Sequence, residues 1–175
     1  CRCFDCRQVL YEESMFDGQK VSKSRIITSV DYSMVSMEAF EIYAANHDIH
    51  VMDFVLKLDA YSYYMMNLLD YLIGNTDRHW GNWGFLVDNR TNQPVRLFDL
   101  MDFNQTFLAY DTPDGANCMT TGNRKMSQRE AAVEAVKNIG LNQKDEIKDE
   151  WFKGREKERE MFWCRFGILK EQWKA

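Results

Sequence analysis

The chain has 175 residues, of which 45% are apolar and 14% aromatic, and 27 acidic side chains against 22 lysines and arginines leave a formal charge of −5. This composition fits one globular domain with its own core and excludes a disordered chain. The acidic balance disfavours nucleic acid as a partner. No apolar run nears the roughly 18–20 residues of a membrane span, and no basic-then-apolar leader stands at the front, so a soluble, cytoplasmic protein without membrane contact is expected.

Residues 1–32 read as a poorly defined segment, with strand character over 20–30 from Ile26, Ile27 and Val30. Cys1, Cys3 and Cys6 place three thiols where a structural zinc takes four ligands, so reduced thiols are the simpler reading. With Cys118 and Cys164 the count is odd, against a disulfide framework.

Apolar spacing predicts helices over 34–45 and 51–58. The clearest helix runs over 59–72, where Tyr61, Tyr64, Met65, Leu68, Leu69 and Leu72 recur at three and four, Asp59 caps the start and Gly74-Asn75 end it. Two short apolar runs, 83–87 and 95–98, flank the turn-rich stretch 88–94 and predict a β-hairpin. Residues 111–124 read as a polar surface loop. Ser127 and Glu130 form a capping box ahead of a helix over 131–139, with Gly140 as its stop. A last helix over 155–173 carries Phe162, Phe166, Leu169 and Trp173 on one stripe, and the charge run 153–160 reads as its solvated face. The expected class is α+β, predominantly helical.

Phosphoryl transfer needs a carboxylate near the accepting hydroxyl and oxygen ligands for Mg²⁺; kinases place the first Asp and an Asn five residues apart, with a second Asp after a β-hairpin. Asp77 and Asn82 have that spacing, and the hairpin ends in Leu97-Phe98-Asp99-Leu100-Met101-Asp102-Phe103.

The run from Tyr71 to Leu86, with Asn75-x-Asp77-x-His79-x-x-Asn82 at its centre, resembles the catalytic segment of HipA-like serine/threonine kinases. Its Asp-Arg-His-x-x-Asn core is also similar to that of phosphoinositide kinases. The resemblance covers about residues 60–105 and implies a kinase C-lobe-like helical domain over 33–175, with 1–32 a remnant of an N-lobe. It implies Asp77 as the catalytic carboxylate, Asn82 and Asp99 as the ligands of Mg²⁺ and ATP, His79 as a buttress of the loop and Arg78 as the residue orienting its carboxylates. Asp102 is the rival of Asp99, because Met101-Asp102-Phe103-Asn104 faintly matches Asp-Phe-Gly.

Plainer readings stand beside these. Asp77 alone could be a turn residue, His79 a packed ring and Arg78 a surface ion-pair residue. Trp80, Trp83 and the 63–66 stretch read as core rather than as an adenine site. The N-lobe is the main departure. Gly18 stands alone where a glycine-rich loop is needed, and neither Lys20 nor Lys23 is marked as the ATP lysine. Together with the start at Cys1, this leads us to expect a fragment, a lobe supplied by another chain, or a degenerate relative.

The resulting expectation is ATP- and Mg²⁺-dependent transfer to a protein serine or threonine in a bacterial cytoplasm, incomplete or weak without an N-lobe. The alternative is a non-catalytic, pseudokinase-type module that binds a regulatory partner. A lipid kinase fits less well, since anionic membranes recruit basic faces. Thr120, Thr121 and Ser127 are candidate phosphorylation sites in or beside the loop after the metal site.

Overall fold

The computed structural model describes residues 2–108, 110–121 and 126–174. The fold is α+β, with four helices and two small antiparallel sheets among the described residues. Strands β1 (Tyr11–Phe16) and β2 (Gln19–Ser24) pair as a two-stranded ribbon, and β3 (Tyr32–Ser36), β4 (Gly84–Asp88) and β5 (Gln93–Leu97) form a sheet in that order. The helices are α1 (Met37–Asn46), α2 (Val51–Ile73), α3 (Gln128–Ile139) and α4 (Glu156–Lys174), with a short 3₁₀ turn over Asp149–Phe152.

Helix α2 is the centre. Met65, Leu68, Tyr71 and Leu72 are fully buried along it, and α3, α4 and β5 pack around it. The two expected helices over 51–58 and 59–72 both form, and α2 joins them across a break at Asp59 (φ −156°, ψ 64°). The expected cap forms at that break: Asp59 Oδ1 accepts from the Ser62 amide at 3.2 Å. Asp59 Oδ2 also accepts from the Leu97 amide at 3.1 Å and pairs with Arg7 at 2.6 Å, so the break anchors β5 and the N-terminal segment.

The helix expected over 34–45 is corrected at its start. Met34 and Val35 lie in β3, opposite Leu86 and Phe85 of β4, and Ser36 caps a helix that begins only at Met37. A partner strand fifty residues away satisfies the backbone of 32–36, and local periodicity carries no trace of it. The strand character over 20–30 is realised only to Ser24; Ile26 and Val30 follow β2 and are 80% and 92% exposed.

The hairpin over β4 and β5 forms as expected, with an irregularity at Leu86/Val87. Gly84 has to be glycine, because a Cβ there would run into the Val35 carbonyl of β3. The capping box of Ser127 and Glu130 is complete and α3 ends at Gly140.

The stretch 111–124 is not simply a surface loop. Residues 111–114, 117 and 119 are exposed as expected, but Cys118 and Thr120 turn inward and are 5% and 1% exposed; residues 122–124 lie outside the described residues. No described helix is long and apolar enough to cross a membrane.

Candidate functional site

The site starts where α2 stops. Gly74 takes the left-handed conformation (φ 62°, ψ 40°), and a Cβ there would collide with the Tyr110 ring, so both backbone and space require glycine. The last four carbonyls of a helix lack intrahelical donors, and here each finds one. Asp70 O accepts from Asn75 N at 2.9 Å, Tyr71 O from Arg165 Nη1 at 2.6 Å, Leu72 O from the Tyr110 hydroxyl, and Ile73 O from Phe107 N at 3.0 Å. The loop therefore leaves a fully tied helix end.

Beneath the loop lies a buried polar hub. Arg78, 3% exposed, grips Asp70 with two bonds, Nε to Oδ2 at 2.8 Å and Nη2 to Oδ1 at 3.0 Å. Its third nitrogen donates to Met101 O at 2.6 Å and Asn82 O at 3.3 Å, and its guanidinium lies 5.1 Å from the Phe103 ring centre. The surface reading of Arg78 is thus overturned. It joins α2, the loop and the segment after the hairpin, because a buried guanidinium needs a carboxylate and carbonyls around it.

Asn75, wholly buried, donates to Asp70 Oδ1 at 3.0 Å and Asp102 O at 3.4 Å, and its side-chain oxygen accepts from Asp77 N at 3.4 Å. From α3, Gln128 Nε2 donates to Asn75 O at 2.6 Å. Asp70 and Gln128 are absent from the sequence-based set of site residues. A signal for Asp70 existed: it is the single charged residue in the stretch 60–73 of α2, and a buried charge demands a partner.

Above the hub, the Asn82 side chain is oriented by the loop itself. Its amide nitrogen donates to Asp77 O, and Asn82 N donates to His79 O at 3.1 Å. The Asn82 side-chain oxygen is buried and has no hydrogen-bond partner among the described residues. Buried oxygens are rarely left so. The half-buried Asp77 carboxylate has no ion pair or hydrogen bond among the described residues, while its backbone is held on both sides.

His79 is exposed, and its Nδ1 accepts from Gly81 N at 3.0 Å, which closes the loop tip. Trp83 is core at 4% exposure, whereas half-buried Trp80 donates through Nε1 to Met119 O at 2.8 Å. Helix α1 is bolted on by Met37 N and Glu38 N, which donate to Trp83 O and Trp80 O.

The two candidate second carboxylates differ. Asp99 Oδ1 is held by Arg96 at 2.7 Å, both side chains being three-quarters or more buried. Asp102 has a left-handed backbone (φ 56°), its carbonyl is fixed by Asn75, and its carboxylate has no partner among the described residues. The 115–121 stretch closes the hub on the far side: Thr120 donates to Asn67 Oδ1 and contacts Cys118 Sγ at 3.2 Å. Burial pushes the Cys118 thiol above its ordinary value. Thr120 is inaccessible as a modification site, and Ser127 is spent on its cap.

Cys1 of the cysteine cluster lies outside the described residues, Cys3 donates to Glu146 O at 3.4 Å, and no group of three His, Cys, Asp or Glu among the described residues is arranged to hold a metal. A comparison with protein-family models, with curated proteins and with solved structures finds no match.

Proposed function

We propose that this chain is the catalytic half of a phosphotransferase acting with ATP and Mg²⁺ on a protein serine or threonine, built like the C-lobe of HipA-like kinases. One observation carries the reading: the Asn82 side-chain oxygen is buried and unpartnered, while the same side chain's nitrogen is locked onto the Asp77 carbonyl. That is the arrangement a cation ligand needs, an oxygen held in place by its own amide and left free.

The group fits the residues present, and oxygen donors alone suit Mg²⁺. Asn82 and a carboxylate from the segment after β5 would hold it. When bound, Mg-ATP supplies a γ-phosphoryl group whose charge is partly neutralised. Asp77 accepts the proton of the substrate hydroxyl or orients it, and its free carboxylate is available for that task. Arg78 is a positioning residue: it sits beneath the loop and fixes the distance between Asn82 and the Met101-Asp102 backbone. His79 holds the loop tip through Gly81. Asp99 is the second ligand if Arg96 yields its ion pair, and Asp102 is its rival because nothing has to be displaced there.

A second reading rests on that same ion pair. If Arg96 permanently neutralises Asp99, the chain is a pseudokinase-type interaction module that binds a regulatory protein. Isothermal titration of the whole chain with ATP, with and without Mg²⁺, separates the two. Mg²⁺-dependent binding is expected, lost in Asn82→Ala at a stability cost of about 1–2 kcal/mol, the cost of the one bond from the Asn82 amide to the Asp77 carbonyl, with the chain still folded. Whichever of Asp99→Ala and Asp102→Ala also abolishes it names the second ligand. Absence of binding at millimolar ATP by the folded protein, or binding indifferent to Mg²⁺ and to Asn82→Ala, would sink the kinase reading.

A further inference from the structure

Away from Asp77, a cavity of about 620 Å³ opens between the N-terminal segment, the end of α2, the turn after Asp102 and the start of α4. Its wall is apolar and aromatic, with Phe4, Leu69, Phe152 and Phe162 buried in the core behind it and Trp151 half exposed at its mouth. The volume is that of a small-molecule site. Its charges are one-sided. In a chain of net charge −5, no carboxylate among the described residues lines the cavity, and the charged wall residues among them are Arg2 and Arg155. Both are exposed, and neither has an ion-pair partner among the described residues. A wall needed only for packing has no use for two unpaired cations in an acidic protein, whereas an apolar pocket with a few charged groups at its rim is how an amphipathic ligand is oriented.

We propose that this cavity binds a small organic acid: a flat apolar body seated against Phe4, Phe152 and Trp151, with one anionic group facing Arg2 and Arg155. The site is independent of the phosphotransferase reading, although it borders the same segment. Phe103 and Phe107 line it, and the Phe103 ring also rests on Arg78, so an occupant touches the turn that follows Asp102.

The test uses the whole chain and two fluorescent probes with similar aromatic bodies, anilinonaphthalene sulfonate, which is anionic, and phenylnaphthylamine, which is neutral. Saturable binding of the sulfonate at one site per chain is expected, with the near-ultraviolet circular dichroism of the folded protein retained. Arg155→Gln and Arg2→Gln, both surface changes, should each weaken the sulfonate about three- to tenfold and the neutral probe less than about twofold. Binding that does not saturate, sulfonate affinity unchanged in both variants, or equal weakening of the two probes would overturn the assignment. None of these readouts involves ATP or Mg²⁺, so failure here and failure of the kinase reading are told apart.

Discussion

Two buried arginines hold the two ends of the region around Asp77, and they are neutralised differently. Arg78 faces a carboxylate squarely, through two bonds to Asp70. Arg165, wholly buried on α4, has no ion pair with a carboxylate among the described residues. It donates to Tyr71 O at 2.6 Å and Thr112 O at 2.7 Å and lies between the Tyr71 and Tyr110 rings, 5.0 and 4.3 Å from their centres. Its counter-charge is the negative end of α2, where it caps one of the final carbonyls, Tyr71 O, helped by the faces of two rings. Burial lowers its pKa from the usual guanidinium value, yet a guanidinium stays charged. The difference separates a true ion pair from a cation held by dipoles. Removing a partner from the first strands a full charge, whereas removing the second strands only carbonyls.

That contrast can be broken by mutation. The largest effect is expected at the ion pair: Asp70→Ala or Arg78→Met should each cost about 3–5 kcal/mol in urea unfolding, because the remaining charge stays buried. The double variant Asp70→Leu with Arg78→Met should recover most of that loss, and a double variant as unstable as the sum of the singles would refute the pairing argument. Arg165→Met should cost less, about 1–3 kcal/mol, as two carbonyls lose a donor and no charge is orphaned. Equal costs at the two arginines would erase the distinction.

Alkaline pH gives a smaller, graded readout. Burial pushes Tyr63 and Tyr71 from about 10 up to about 12. With the folded pKa raised, the unfolded state loses these protons first, so their contribution is full below about pH 10 and is lost as pH rises from about 10 to 12. Urea midpoints should therefore hold to about pH 9 and then fall, and Tyr63→Phe should flatten the fall. The smallest effect belongs to the β1–β2 ribbon. Phe16 is 69% exposed there, and Phe16→Ser should stay within about 0.5 kcal/mol of the parent. A larger loss would mean that the ribbon carries packing not seen in its exposure.

Legibility followed distance along the chain. The Asp59 cap, the Gly74 stop, the Ser127–Glu130 box and the β4–β5 hairpin all depend on residues within a few positions of each other, and all are readable from spacing. Strand β3 was hidden because its partner lies fifty residues on, while Met34, Met37 and Phe40 mimic a helical stripe. The burial of Thr120 was hidden for the same reason: a polar, glycine-containing stretch gives no sign that Asn67 on α2 awaits it.

The loop itself shows the division most clearly. Sequence alone determined that Asp77 and Asn82 stand five residues apart just after the Gly74 helix stop, because spacing and a glycine stop are local properties of the chain. Tertiary structure decided that Arg78 between them points down into Asp70, that Asn75 ties the loop to Asp102, and that the Asn82 oxygen is left without a partner. Those outcomes turn on which groups burial deprives of water, and burial is a property of the packed chain.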